Sequence, residues 1–197
     1  MTMEIREYTS NDEQGWVRCR ILSFLDTAYF DNVLTEKETY ENPSIELVAV
    51  EHGKIIGLID IEYEQKEGTV CSRGTGLGGM IWHIAVHPDY QRKGIGNMLL
   101  AEAQKIAREK GLNHLEAWTR DDVWVNTWYE KNDFQHVDSY LHVFVGGEEV
   151  DGILTSNVPG LYPVQAFAHY TGKEKEMVKG KFSRVHDCNC FEKRLDK

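Results

Sequence analysis

Apolar residues recur every three or four positions along residues 95–110, a spacing that collects them on one face of an α-helix. The residues that follow this spacing are Ile95, Met98, Leu99, Ala103, Ile106 and Ala107. Arg108 and Lys110 come near the end of the segment, where the helix dipole favours cations, and Gly111 can terminate the helix. The pattern therefore predicts a helix over 95–110.

Short apolar runs bounded by turn residues predict β-strands elsewhere in the chain. Residues 47–50 and 55–61 flank the dipeptide His52-Gly53, an arrangement that is typical of a β-hairpin. Glycines interrupt residues 67–79, which predicts a loop. Further strands are predicted at 4–8, 80–86, 115–119, 134–145 and 183–195.

Polar residues that can cap a helix precede two other apolar segments. Asn11 or Asp12 can begin one helix, and Asp121 or Asp122 can begin the other. The aromatic-rich stretch 24–33 predicts a short additional helix.

The order of these elements indicates the fold class. A strand–helix–strand succession implies a parallel pair with a right-handed crossover, whereas a hairpin makes antiparallel neighbours. We therefore expect an α/β fold with a mixed sheet flanked by helices. The 197 residues contain no repeat and no low-complexity linker, so we expect a single domain over 1–197.

Charge and composition argue against several functions. The net charge is −10, which does not suit a nucleic-acid partner, because wrapping a phosphate backbone requires a surface rich in Lys and Arg. The same charge favours cationic ligands. No apolar run is long enough for a membrane span, and Met1–Tyr8 lacks the apolar core of a signal peptide. The prediction is a cytoplasmic protein with no membrane partner.

The four cysteines are expected to be free thiols in that compartment. His186, Cys188 and Cys190 alternate, so they would face one side of a strand. A metal could use them, but their spacing is not that of a structural zinc site. We expect ordinary strand residues and no metal.

The segment from Ile81 to Gly96 points to a chemistry, because an apolar strand there runs through a tight turn into the predicted helix. The first N–H groups of a helix have no intrahelical partner and carry the positive end of its dipole. Gly94 lacks a Cβ, as does Gly96, so a ligand can approach the backbone. Arg92 and Lys93 add positive charge. The turn is predicted to bind a phosphate or pyrophosphate.

Two common nucleotide-binding motifs do not fit this turn. A P-loop ends in Gly-Lys-Ser/Thr, but Gly96 is followed by Asn97 and Met98. A dinucleotide-binding fold needs three glycines after its first strand and an acidic residue about 20 positions later, and this segment does not fit that pattern.

The turn and a second segment downstream together resemble a known family. Residues 91–96, Gln-Arg-Lys-Gly-Ile-Gly, match the Gln/Arg-x-x-Gly-x-Gly/Ala signature of the GNAT superfamily of acyl-CoA-dependent N-acyltransferases. Residues 84–88 resemble the fourth strand of that family, and 128–134 resemble its Phe-Tyr-Glu-Lys-x-Gly-Phe segment. The resemblance is best over about 79–145. Asp133 stands where the family usually has Gly, and Asp122 stands where many members have Asn.

The resemblance implies a co-substrate, acetyl-CoA, and a way of binding it. In the family the sheet is mostly antiparallel, but its fourth and fifth strands are parallel and splay apart. The pantetheine chain enters that gap, and the pyrophosphate lies on the signature turn. The residues implied to bind the cofactor are Ile84, Ala85, Val86, Gln91, Arg92, Lys93, Gly94, Ile95, Gly96 and Asn97.

The implied reaction is direct attack of an amine on the thioester carbonyl, with an oxyanion stabilised by a backbone N–H of the fourth strand. Tyr129 matches the family's general acid, although it could also be a packed aromatic residue. Strict alternation would place His83 on the opposite face from Trp82. The candidate general bases are His83, Glu62, Glu64 and Glu116, with water as a further alternative.

The acceptor in such enzymes meets the first helices and the later loops. Aromatic residues beside carboxylates there suit a cationic, partly apolar amine, although the same pattern also describes a helix face with solvated charges. The residues concerned are Trp16, Phe24, Asp26, Tyr29, Phe30 and Asp31. Residues 146–182 show no clear pattern and could form a lid or a homodimer contact.

The expected function is N-acetylation of a small-molecule primary amine. The alternatives are a non-catalytic acetyl-CoA sensor and an acetyltransferase that acts on protein lysines or N-termini.

Overall fold

The computed structural model describes residues 3–195, and within them eight strands form one sheet flanked by helices. The strands are β1 (Glu4–Glu7), β2 (Ser44–Glu51), β3 (Lys54–Tyr63), β4 (Gly78–Val86), β5 (His114–Thr119), β6 (Gln135–Gly146), β7 (Gln165–Tyr170) and β8 (Arg184–Arg194). The helices are α1 (Glu13–Phe24), α2 (Ile95–Glu109), α3 (Val123–Lys131) and α4 (Lys175–Lys181), with short 3₁₀ turns at Ser10–Asp12, Pro88–Tyr90 and Gly147–Val150.

The strand order across the sheet is β1-β2-β3-β4-β5-β8-β6-β7. β4 and β5 are parallel, and the other neighbouring pairs are antiparallel. The mixed α/β sheet with a parallel pair at the fourth and fifth strands is therefore confirmed. β8 comes from the far end of the chain and inserts between β5 and β6.

Helices cover both faces of the sheet. α2 packs on one face over a core that includes Leu99 and Ala103 from the helix and Ile59 and Leu115 from the sheet. Each fully buried leucine of this kind contributes about 1.5–3 kcal/mol. α1 covers the other face, where Trp16 is completely buried in a smaller cluster. The face under α1 is called the α1 face below.

The β2–β3 hairpin forms at the predicted dipeptide. His52 has a φ of 51° and Gly53 a φ of 74°, so both central residues of the turn adopt positive φ. This conformation matches the right-handed twist of the two strands.

The helix predicted over 24–33 is wrong, because this stretch forms successive turns. Thr27 N–H donates to Phe24 O, and the Thr27 hydroxyl accepts from the Tyr29 N–H. The Asp122 carboxylate accepts from the Ala28 N–H at 3.0–3.1 Å. Side-chain oxygens thus accept from backbone N–H groups that would donate to backbone carbonyls in a helix.

Residues 146–182, which carry no periodic pattern, contain β7 and α4. β7 is the outer strand of the sheet beside β6, and several large apolar side chains of the segment are exposed. Among residues 3–195, no helix has both the length and the apolar character needed to cross a membrane.

Candidate active site

The parallel strands β4 and β5 separate halfway along their length. Their pairing runs from Gly78–His114 to Ile81–Ala117 and ends there. β4 nevertheless continues to Val86 and β5 to Thr119. A gap therefore opens between the second halves of the two strands.

Backbone groups of β4 face this gap. His87 N–H donates to Ile56 O of β3 at 2.9 Å, and backbone polar groups alternate in direction along a strand. Ile84 and Val86 therefore turn their N–H and C=O groups away from β3 and towards the gap. The Val86 carbonyl accepts a hydrogen bond from the Gln91 side chain at 3.2 Å.

A β-bulge lies where the gap begins. The register between β3 and β4 shifts between Asp60, which pairs with His83, and Ile61, which pairs with Ile81. Trp82 is the extra residue, and the two residues of a bulge that oppose one partner residue can share a face. His83 packs against Trp16 of α1, and Trp82 donates to Glu62 on that same face of the sheet. Both side chains therefore point to the α1 face, and the prediction that they lie on opposite faces is wrong.

An acidic pocket of about 360 Å³ adjoins the bulge on the α1 face. Three carboxylates and one exposed indole dominate its wall. The residues that line it are Glu38, Thr39, Tyr40, Glu41, Asn42, Glu62, Thr69, Val70 and Trp82. Carboxylates beside an indole form surroundings that favour a cation.

Both ring nitrogens of His83 are engaged. Arg20 Nε donates to His83 Nδ1 at 3.3 Å, and a guanidinium can only donate. The proton of a neutral His83 ring therefore lies on Nε2, which contacts the Glu38 carboxylate at 2.5 Å. Because Nδ1 is blocked by Arg20, His83 has no nitrogen free to take a proton from a substrate.

Glu38 is the residue of this pair that reaches the pocket. Its side chain is 48% exposed, and the hydrogen bond with His83 lowers its pKa. It lies in the irregular stretch between α1 and β2, where hydrophobic patterning carries no signal. The sequence pattern therefore does not single out Glu38 as a functional residue.

The other predicted bases differ in their surroundings. Glu62 lines the pocket; burial opposes its ionisation, but hydrogen bonds from Asn42 and Trp82 outweigh that effect and lower its pKa. Glu64 accepts from three backbone N–H groups of residues 70–78. Glu116 accepts from the backbone N–H groups of residues 72 and 73. The last two carboxylates therefore fasten the loop that precedes β4.

Tyr129 lies in α3 inside an aromatic cluster. Its ring stacks on Phe191 at 5.2 Å and meets Phe134 edge-on. Burial raises the pKa of its hydroxyl, so the group stays protonated at neutral pH. Within residues 3–195 the hydroxyl forms no hydrogen bond, which leaves it free to donate.

The predicted phosphate-binding turn leads into α2. Gly94 is the N-cap residue, with a φ of 80°, and no atom lies within 4 Å of the place a Cβ would take. Met98 N–H donates to Gly94 O. The preceding N–H groups of Ile95, Gly96 and Asn97 lie ahead of the first helical hydrogen bond and are available to an anion.

Exposed side chains border this turn. Arg92 has a φ of 60° and Lys93 lies 4.8 Å from the centre of the Tyr90 ring. The side-chain oxygen of Asn97 accepts from Trp128 Nε1 at 2.7 Å, which ties α2 to α3.

The two departures from the GNAT pattern have structural explanations. Asp133 adopts a φ of 63° directly after α3, a left-handed conformation that glycine takes more easily. Asp122 is the N-cap residue of α3, and its carboxylate holds the turn at Ala28.

The residues predicted to meet the acceptor lie outside the acidic pocket. Asp31 pairs with Arg184 at 2.6 Å, and Tyr29 is packed against Arg120. His186 pairs with Asp121 at 2.8 Å, whereas Cys188 and Cys190 are buried free thiols.

Comparisons with known proteins agree on one family. Residues 42–136 match the model of the acetyltransferase (GNAT) domain. The chain is 28% identical over 144 residues to acetyltransferase SG1711 of Sodalis glossinidius, covering 71% of this chain and 92% of that protein.

Solved structures share the fold. A GNAT-family acetyltransferase of Streptococcus pneumoniae superposes with a TM-score of 0.63 at 17% identity, covering 99% of this chain and 100% of that one. The PaiA N-acetyltransferase of Thermoplasma acidophilum, in complex with coenzyme A, gives a TM-score of 0.55 at 18% identity and covers 70% and 92%.

Proposed function

Because the chain belongs to the GNAT superfamily of acetyltransferases, we propose that it transfers the acetyl group of acetyl-CoA to a primary amine of a small cationic molecule. One observation supports a cationic amine as the substrate: the acidic pocket adjoins the β4 bulge at which the β4–β5 gap opens. The whole chain acts in this proposal as one transferase domain.

The proposed cofactor site combines the gap with the turn before α2. The gap-facing backbone groups of Ile84 and Val86 pair with the pantetheine chain, and Ala85 between them packs under α1. The pyrophosphate lies on the N–H groups at the start of α2, with Arg92 and Lys93 beside it. The coenzyme A bound to PaiA of T. acidophilum supports this assignment.

The acidic pocket receives the acceptor in this proposal. The carboxylates of Glu38 and Glu62 attract the ammonium group, and the Trp82 indole packs against it. Glu38 accepts a proton from the ammonium and passes it to solvent, because its side chain is half exposed. His83 positions Glu38 through their hydrogen bond.

The neutral amine then attacks the thioester carbonyl carbon. The new C–N bond forms, the C–S bond breaks, and the Ile84 N–H stabilises the oxyanion. Tyr129 protonates the departing thiolate and recovers a proton from the acetylated nitrogen. The nitrogen loses two protons in total, one to the thiol and one to solvent through Glu38.

An acceptor screen tests the proposal. The protein is incubated with acetyl-CoA and a panel of polyamines, aminoglycosides, neutral amines and Lys-containing peptides, and thiol release is measured. We expect release only with small cationic amines, and mass spectrometry should find the product heavier by one acetyl group. Release with peptides alone would indicate a protein acetyltransferase, and coenzyme binding without release would indicate a sensor.

Charge-removing variants test the pocket itself. Glu38→Gln and Glu62→Gln should each lower kcat/KM for a cationic acceptor about tenfold or more, the equivalent of about 1.4 kcal/mol. Glu102→Gln is the matched control, because Glu102 is half-exposed on α2 and pairs with Lys105 away from the pocket. Equal effects of all three substitutions would refute the acceptor site.

A further inference from the structure

Three side chains that commonly bind metal ions meet in a buried cluster. The Cys71 Sγ, a ring nitrogen of His114 and a Glu116 carboxylate oxygen lie within 4.8 Å of one another. It is the one such group of three or more potential ligands in the part of the chain that the structure describes. The alternating trio His186, Cys188 and Cys190 is not such a group.

The fold fixes all three residues. His114 and Glu116 are two positions apart on β5, so their side chains share a face. Cys71 belongs to the loop before β4, and its N–H donates to the Glu64 carboxylate at 3.0 Å. The Arg73 N–H donates to Glu116 at 2.7 Å. The loop is thus held over β5 by two carboxylates.

The surroundings of the His114 side chain indicate that it binds a ligand. Its side chain is 99% buried, and both of its ring nitrogens lack a hydrogen-bond partner. Gly74 and Gly78 hold the ring tightly, since a Cβ at either position would lie 2.5 Å from Nε2. Buried polar atoms without partners are rare in native proteins and call for an explanation such as an ion.

We propose that Cys71, His114 and Glu116 bind a zinc ion or a similar first-row transition metal. Thiolate and imidazole ligands select such metals over Mg²⁺ and Ca²⁺, which prefer oxygen. Hydrogen bonds from Ser72, Arg73 and Trp118 orient the Glu116 carboxylate, as outer partners of metal ligands do, and one of these four donors gives way when the ion binds. As the S–metal bond forms, the Cys71 S–H bond breaks and its proton is released to solvent.

A fourth ligand would come from the neighbouring strand or from water. Glu192 pairs directly with Glu116 across β5 and β8, on the same face of the sheet, and would leave its ion pair with Arg194, now 3.1 Å long, to reach the ion. A tetrahedral ion holds its ligand atoms about 3.3–3.8 Å apart. Because the three ligand atoms already lie within 4.8 Å of one another, binding requires them to approach by at most about 1.5 Å.

The position of the cluster indicates what the metal does. β4 and β5 begin to pair at Gly78 and His114, and the gap opens beyond Ile81 and Ala117. The ion would fasten the loop and the paired ends of the two strands, and so stabilise the closed end of the gap. Its role is structural, and acetyl transfer does not depend on it.

Metal titration of the full-length protein tests the proposal. The protein is stripped with a chelator, dialysed and titrated with Zn²⁺ by calorimetry, and separately with Co²⁺ by absorption spectroscopy. We expect one ion per chain, a thiolate-to-cobalt charge-transfer band, and a higher Tm with Zn²⁺ than with chelator.

Three variants identify the ligands. Cys71→Ala should lose the charge-transfer band and the Zn²⁺-dependent rise in Tm. Cys19→Ala is the matched control, because Cys19 is another buried free thiol, in α1, and should keep both. His114→Leu should fold without metal, since it removes two unpaired polar atoms, but should not bind the ion.

The proposal fails if wild-type protein binds no stoichiometric metal. It also fails if Cys71→Ala and His114→Leu bind Zn²⁺ as tightly as wild type. Acetyl transfer is also measured with the metal-free protein. Failure to bind metal and failure of the proposed reaction are thereby distinguished.

Discussion

Replacing Gly94 with leucine tests whether the turn before α2 binds the coenzyme pyrophosphate. Gly94 has a φ of 80°, and nothing lies within 4 Å of a Cβ placed there. The substitution therefore strains the backbone by about 1–2 kcal/mol without a clash inside the protein. The new side chain would instead occupy open space beside the proposed pyrophosphate site.

The expected loss of binding follows from the N–H groups at the start of α2. Each hydrogen bond to a charged group contributes about 1.5–3 kcal/mol, so losing two weakens coenzyme binding by about 3–6 kcal/mol. This corresponds to a dissociation constant larger by about 10²–10⁴-fold. Isothermal titration calorimetry with coenzyme A measures it directly.

Gly111 provides a matched control at the other end of the same helix. It also has a φ of 80°, and the space that its Cβ would occupy is free of other atoms to 4 Å. Gly111→Leu should lose similar stability, which lowers Tm by about 2–8 °C for a protein of this size, yet keep coenzyme affinity. Equal dissociation constants for the two variants would refute the assignment of the turn.

Three further predictions concern catalysis and stability. Tyr129→Phe should reduce kcat strongly in the thiol-release assay while calorimetry shows unchanged coenzyme binding; unchanged kcat would remove the hydroxyl from the mechanism. Asp133→Gly should raise stability by about 1 kcal/mol in urea unfolding, because Asp133 has a φ of 63° and the carboxylate that it pairs with Lys193 is 88% exposed. Hydrogen bonds from Arg6 lower the pKa of Asp12, so this pair should stabilise the fold above the ordinary Asp pKa of about 3.9 and lose that contribution as pH falls through the lowered value. Asp12→Asn should therefore cost about 0.2–1 kcal/mol at pH 7 and nothing at the acidic end of a pH series of urea melts; a constant difference would contradict this.

Local patterns predicted the elements that frame the site. The periodic residues of α2, the His52-Gly53 turn and the signature turn at 91–96 each depend on neighbours in sequence, so a single chain reveals them. The parallel pairing of β4 with β5 followed from the strand–helix–strand order.

Features that depend on distant contacts were not predictable in this way. The bulge at Trp82 exists because of how β4 pairs with β3, and it reverses the face that alternation assigns to Trp82 relative to His83. Glu38 lies in an irregular stretch and reaches His83 only through tertiary packing. Cys71 and His114 are far apart in sequence, and no spacing rule connects them.

The insertion of β8 between β5 and β6 has a consequence for synthesis of the protein. β5 and β6 each present an unpaired edge until residues 184–194 have left the ribosome. Such edges can pair with other chains, so the nascent protein passes through an aggregation-prone stage late in translation. Chains cut short before residue 184 should therefore accumulate in inclusion bodies even though every element of the proposed acetyl-transfer site has been synthesised.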